Sequence, residues 1–169
     1  MGRMSTYASG RQILDADSHL MELPGWLDEY ADPAVRDLIR PLYLGGAGAL
    51  ADDAIKRAEA RRGDATAARE LEDALLTRKG WHGLGAFDPT ERSRALDLLG
   101  FDAQLVFSTF AATQFTGDDL DLLYGGASAH NRAMADFCSG DPRLLAVGLV
   151  PWNAPALVGK LSDSVDPVT

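Results

Sequence analysis

Three short strand-like segments, separated by longer helix-like segments, constrain the fold of this chain most. They are residues 12–19, 101–107 and 143–150; the first turns polar toward its end, and the other two are largely apolar. The last, Arg143-Leu-Leu-Ala-Val-Gly-Leu-Val150, is almost entirely apolar, as expected for a strand covered on both faces. Strands that alternate with helices form parallel sheets with right-handed crossovers. We therefore predict an α/β fold.

Helix boundaries between these strands are marked by capping residues. Asp88-Pro-Thr-Glu91 combines a cap, a proline at the first helical position and an acid at the third, and Gly100 ends the helix that follows. A later helix is predicted from Asp118 to about Cys138, with a break at Gly125-Gly126. Asp32 and Pro33 predict another helix start.

The remaining segments predict how the chain is organised. Residues 1–10 are polar and are expected to be flexible. Residues 49–79 are rich in Ala, Glu and Arg and split near Gly63, which predicts a solvated helical insertion outside the core. Residues 11–157 would then form the main domain, and residues 158–169 a tail.

Charge and composition exclude several classes of partner. The chain has 25 acidic and 16 basic residues and a net charge of −9, so we expect neither nucleic-acid nor membrane binding. Its one cysteine, Cys138, excludes an intramolecular disulfide. No apolar run approaches the roughly 20 residues of a membrane span, and no secretory signal is recognisable. We expect a cytoplasmic protein.

The first predicted strand carries the residues best suited to chemistry. Asp15, Asp17 and His19 are spaced two apart, so on a regular strand they share one face, while Ser18 points to the other face and should be dispensable. Carboxylates and an imidazole at the carboxyl end of a parallel strand suit a zinc or manganese ion. The alternative is a polar turn with a helix cap. No G-x-G-x-x-G follows this strand, which argues against a nucleotide-binding unit.

Other polar residues are candidates for a surrounding pocket. Glu22 either supports the first-strand ligands or faces solvent, and His82 either lines a pocket or is a half-exposed loop residue. Ser108 follows the second strand, and Trp152 and Asn153 follow the third, where they line a pocket or cap loops.

The first-strand segment resembles a known family. Asp15-Ala-Asp-Ser-His-Leu-Met-Glu22 resembles the D-x-D-x-H-x-x-E opening of amidohydrolase-related proteins, in the branch of aminocarboxymuconate-semialdehyde decarboxylase and the resorcylate decarboxylases. Residues 92–107, 131–137 and 141–151 resemble, in family order, the helix and strand units that follow. The resemblance covers residues 12–157.

This resemblance implies a partial TIM (β/α)8 barrel, consisting of the first three β/α units with a helical insertion after strand 1. It places Asp17 and His19 on the first-strand ligands of one divalent metal, for which zinc is best suited, with Asp in place of the usual His or Glu. The family also needs two later histidines and a catalytic aspartate, which have no counterpart here. His82 lies in a loop, and His130 is interpreted as a surface or helix-packing residue.

The implied activity is that of a metal-dependent hydrolase or a non-oxidative decarboxylase acting on a small carboxylate or cyclic substrate. A complete barrel takes about 250 residues, against 169 here, so we expect the metal to bind only with the rest of the barrel. The alternative is a truncated, inactive fragment or the folding partner of a complementary fragment. An incomplete sheet also predicts self-association.

Overall fold

The computed structural model describes residues 6–42, 44–61 and 63–154. Its strands form one parallel sheet in the order β1-β2-β3. The protein is therefore a mixed α/β protein with a small parallel sheet, as the alternation predicted. The elements are β1 (Leu14–Leu20), α1 (Pro33–Arg36), α2 (Gly48–Arg61), α3 (Ala65–Asp73), α4 (Pro89–Leu99), β2 (Ala103–Ser108), α5 (Leu120–Ser139) and β3 (Leu144–Ala146), with 3-10 turns at Gly45–Ala47, Gly80–His82 and Ala111–Thr113.

Helix α4 begins and ends where its capping residues predicted. The Asp88 carboxylate accepts a hydrogen bond from the Glu91 amide at 2.9 Å, and Gly100 has a left-handed φ of 75°. Helix α5 is capped by Asp119 rather than Asp118. Among the described residues, no helix has the length and apolar character needed to cross a membrane.

Helix α5 also continues without interruption through the two glycines where a break was predicted. A Cβ at Gly125 would lie 2.7 Å from the Val35 side chain, and one at Gly126 would lie 2.2 Å from the Phe115 ring. These glycines therefore allow close packing of neighbouring elements and do not end the helix.

The predicted insertion contains two helices, α2 and α3, with Asp64 capping α3 through the amides of Thr66 and Ala67. It does not lie wholly outside the core, because Ala51 and Ala54 of α2 are buried in the larger apolar cluster. Because its alanine side chains are small, α2 can pack closely against the domain. The low apolar content of its sequence gave no indication of this contact.

The described part of the amino-terminal segment contacts the domain, whereas residues 1–5 lie outside the described residues. Residues 6–10 form a turn in which Ala8 is buried and its amide donates to the Leu99 carbonyl at 2.8 Å. This contact ties the described part of the segment to the end of α4.

Strand β3 is shorter than the apolar run that predicted it. Ladder pairing with β2 covers Leu144–Ala146, whereas the Leu149 amide and carbonyl bond to the Asn131 side chain of α5 at 2.7 and 3.0 Å. The side chain replaces the ladder partner, so the chain leaves the sheet. Trp152 and Asn153 consequently lie in a loop and do not end a strand.

Only one face of the sheet is covered by the described residues. On that face the strands pack on helices α4 and α5, and the cluster comprises Leu20, Leu96, Val106, Met134, Phe137, Cys138 and Leu144. On the other face Leu14, Leu105 and Leu145 are 67%, 38% and 47% exposed. The expectation that β3 is covered on both faces is thus wrong for the described part of the chain.

Candidate functional site

Strand β1 contains a bulge that rearranges its polar residues. Asp15 pairs with Gln104, but Ser18 pairs with Val106, so three steps along β1 match two along β2. Asp15 and Ser18 therefore share the helix-covered face, where Asp15 Oδ2 accepts a hydrogen bond from Gln104 Nε2 at 3.0 Å. The predicted common face of Asp15 with Asp17 and His19 is wrong, because the bulge reverses the alternation.

Asp17 and His19 do lie together beyond the bulge. Asp17 Oδ1 is 3.4 Å from His19 Nε2, and their side chains are 91% and 46% exposed. The His19 ring stacks on Phe107 of β2, with ring centroids 5.7 Å apart. Both residues stand at the carboxyl end of the strands, on the face opposite to the helices.

Thr109 is the side-chain neighbour of the other His19 nitrogen. Thr109 Oγ1 lies 3.4 Å from His19 Nδ1, and its hydroxyl donates to the Leu20 carbonyl at 2.6 Å. Because that hydrogen is engaged, the hydroxyl oxygen can accept from Nδ1–H. With a metal between Asp17 and His19, this hydrogen bond would hold the proton on Nδ1 and leave Nε2 free to bind the ion; without one, Nε2 faces a carboxylate and would itself carry a proton.

Of the two alternatives predicted for Glu22, the solvent-facing one is wrong, and any support for His19 is indirect. Its side chain is buried, and its Oε1 accepts the amides of Thr109, Phe110 and Ala111 at 2.9, 2.9 and 3.0 Å. Glu22 therefore neither faces solvent nor accepts a hydrogen bond from His19. It fixes the turn that follows β2, and that turn carries Thr109.

Arg92, which connects α4 to β1, was not among the site residues predicted from the sequence. Its guanidinium donates to the Gly85 carbonyl at 2.6 Å, to Ser18 Oγ at 2.5 Å and to the His19 carbonyl at 2.8 Å. The prediction that Ser18 points away from His19 is correct, but Ser18 is not a free side chain. Arg92 thus fixes the backbone of His19 from the helix-covered face of the sheet.

Arg92 could have been recognised from its place in the helix. It lies on the stripe of α4 that also presents Ala95 and Leu96 to the core, a position normally occupied by an apolar residue. Burial lowers the pKa of Arg92, and the electrostatic effects of Cys138 and Asp15 oppose that shift only in part.

The other predicted pocket residues lie in different parts of the structure. Ser108 ends β2 and is half-buried at the carboxyl edge of the sheet. His82 Nε2 lies 3.8 Å from Asp53 Oδ2 of α2, so it contacts the insertion. Trp152 is 74% exposed, and exposed Asn153 donates to a loop carbonyl at 3.5 Å.

The Asp17–His19 spacing suits two ligands of a single ion. Zinc–oxygen and zinc–nitrogen distances of about 2.0–2.1 Å, at a tetrahedral angle, separate the two donor atoms by about 3.3 Å. The observed separation is 3.4 Å. Within the described residues, no group of three or more His, Cys, Asp or Glu side chains could hold a metal. The pair therefore supplies two donors of a site that needs more.

Comparison with known proteins identified no relative of this chain. The function must therefore be inferred from the residues and their geometry. No protein-family model, curated protein or solved structure matches this chain.

Proposed function

We propose that Asp17 and His19 are the first-strand ligands of a divalent-metal site in an amidohydrolase-type β/α barrel. The observation that carries this proposal is the pair of donor atoms 3.4 Å apart at the carboxyl end of a parallel strand. Barrel enzymes build their sites at that end. Strands β1, β2 and β3 would be the first three strands, with α2 and α3 as an insertion after β1.

The proposed activity is hydrolysis or non-oxidative decarboxylation of a small carboxylate or cyclic substrate, as the resemblance of residues 15–22 implies. A bound metal would polarise a substrate oxygen or a water molecule. The chain itself contributes the charge of Asp17, the nitrogen donor of His19, and Thr109 and Arg92, which orient His19. Zinc is the cation that best suits this oxygen and nitrogen pair.

The open face of the sheet favours a second candidate function. Leu105 and Leu145 are register partners on that face, and both are exposed. In a barrel such residues fill the interior and are covered by further strands. A chain without those strands would have no turnover of its own and would act as the folding partner of a complementary fragment.

Metal titration tests the ligand pair. We expect the chain alone to bind zinc weakly, because two protein donors leave most of the coordination shell to water. His19→Ala and Asp17→Asn should each weaken binding at least about 10-fold, since direct ligands matter more than the residues that support them. Isothermal titration with zinc, and with cobalt as a spectroscopic probe, gives the affinities.

His82→Ala is the matched control, because it removes a histidine that contacts the insertion. Its zinc affinity should equal that of the unmodified chain. If His82→Ala weakens binding as much as His19→Ala, the ligand assignment is wrong. Stoichiometric zinc that survives dialysis would show additional ligands and would exclude a two-donor site.

Self-association tests the open face. Leu145→Lys places a charge among exposed leucines and should shift sedimentation toward monomer at concentrations where the unmodified chain associates. Leu50→Lys on α2 is the control, since Leu50 is 52% exposed but lies outside the sheet. A chain that sediments as a monomer at all concentrations, or an equal effect of both variants, would contradict a role for this face.

A further inference from the structure

The two proposed metal ligands differ in how firmly the described residues hold them. The His19 ring contacts Phe107 and Thr109. Its backbone carbonyl accepts a hydrogen bond from Arg92. The Asp17 side chain, by contrast, is 91% exposed, and among the described residues its carboxylate has one polar neighbour, His19 Nε2 at 3.4 Å. The position of that carboxylate therefore depends mainly on how the backbone of Asp17 is held.

The backbone of Asp17 lies within the bulge of β1. In the described structure neither Ala16 nor Asp17 has a register partner on β2, so this part of the strand lacks the regular ladder. The Asp17 amide donates to Asp15 Oδ1 at 3.1 Å. An aspartate side chain that accepts the amide two residues later is a common local alternative to ladder hydrogen bonds. The Asp15 carboxylate thus takes the place of a strand partner for Asp17.

The same carboxylate is attached to β2 through its other oxygen. Asp15 Oδ2 accepts a hydrogen bond from Gln104 Nε2 at 3.0 Å. Gln104 is the register partner of Asp15, and it is buried. A bulge interrupts the pairing of two strands, and here the two oxygens of Asp15 connect the bulged backbone to the neighbouring strand.

We infer that Asp15 is a positioning residue for the metal ligand Asp17. Its carboxylate holds the bulge and thereby fixes the backbone from which Asp17 reaches His19 Nε2. This inference rests on the proposed function, because it takes Asp17 and His19 as the ligand pair. It gives Asp15 a role other than metal binding, since Asp15 lies on the helix-covered face and the pair lies on the opposite face.

Amide hydrogen exchange in the metal-free chain tests the contact by itself. Asp15→Ala should speed exchange at Asp17 by about 2–10-fold, the range expected for the loss of one hydrogen bond. Asp102→Ala is the matched control, because the Asp102 carboxylate accepts the Ile13 amide at 2.9 Å just before β1. It should leave exchange at Asp17 unchanged. Gln104→Met removes the donor that anchors Asp15, so it should also speed this exchange, and it replaces Asp15→Ala if that variant does not fold.

Zinc titration tests the consequence for the metal site. Asp15→Ala should weaken zinc binding by about 10-fold, the lower end of the effect of groups that orient a metal ligand. Asp15→Asn should stay within about twofold of the unmodified chain, because its side-chain oxygen still accepts the Asp17 amide and Gln104 can turn its own amide to accept from the new NH2 group. Asp102→Ala should bind zinc as the unmodified chain does.

The outcomes separate this inference from the proposed function. Unchanged exchange at Asp17 in Asp15→Ala, or equal zinc losses in Asp15→Ala and Asp102→Ala, would overturn the positioning role. Equal zinc losses in Asp15→Asn and Asp15→Ala would show that Asp15 acts through its charge or as a direct ligand, which would also overturn it. If Asp17→Asn binds zinc as tightly as the unmodified chain, the ligand pair itself is wrong, and with it any role of Asp15 toward the metal.

Discussion

Arg92→Met is expected to lower the free energy of unfolding by about 3 kcal/mol. The substitution removes three hydrogen bonds and leaves the Gly85 carbonyl, the Ser18 hydroxyl and the His19 carbonyl without their donor. Each unsatisfied buried group costs about 1–3 kcal/mol. Methionine fills most of the volume and avoids the desolvation of a buried cation, so the net loss is smaller than the sum.

Arg94→Met is the matched control for Arg92→Met. Arg94 lies on the same helix, but it forms an ion pair with Glu72 at 2.6 Å at the surface, where its side chain is 49% exposed. Pairs of this kind contribute about 0.2–1 kcal/mol. Urea denaturation of both variants gives the comparison. Equal losses would show that the Arg92 hydrogen bonds contribute little.

Gly85→Ala is expected to cost about 3 kcal/mol, for a steric reason. Gly85 has a φ of 72°, and a Cβ there would lie 2.4 Å from Arg92 Cα and 2.5 Å from Arg92 N. These are backbone atoms of α4, so relief requires the helix to move. A left-handed conformation costs an L-residue about 1–2 kcal/mol, and overpacking typically adds about 1–3 kcal/mol.

Gly63→Ala separates these two contributions. Gly63 has a φ of 80°, but apart from its chain neighbours no atom of the described residues lies within 4 Å of a Cβ built there. It should therefore show the conformational cost alone, about 1–2 kcal/mol. Thermal or urea unfolding of both alanine variants gives the difference, which measures the contact between residue 85 and α4. A Gly85→Ala variant no less stable than Gly63→Ala would mean that α4 shifts freely.

Arg92→Met and Gly85→Ala are also expected to affect the candidate site. Arg92 bonds to the His19 carbonyl, and Gly85 sets the distance of α4 from the loop before it. We therefore expect the ring of His19 to change its environment in either variant even at temperatures where the fold persists. Histidine resonances in the folded protein would report this change.

Features of the fold that depend on neighbouring residues in the chain were predictable from the sequence. The Asp88 cap, the Gly100 stop and the Asp64 cap of α3 each involve groups within four residues of one another. The parallel sheet followed from the alternation of strands and helices, because a strand that returns parallel needs a crossover. The extent of β3 was not predictable in this way, because the side chain of Asn131 in α5 forms hydrogen bonds with the Leu149 amide and carbonyl in place of a neighbouring strand.

For the candidate site, the sequence by itself determined that Asp17 and His19 stand together at the end of the first strand. The tertiary structure alone decided that Asp15 lies on the opposite face, because a bulge in β1 depends on how β2 pairs with it. It also decided the burial of Glu22 and of Arg92, whose hydrogen-bond partners lie 87 and 74 residues away. A polar side chain is stable in the interior only where such distant groups meet it, and alternation along one strand carries no information about them.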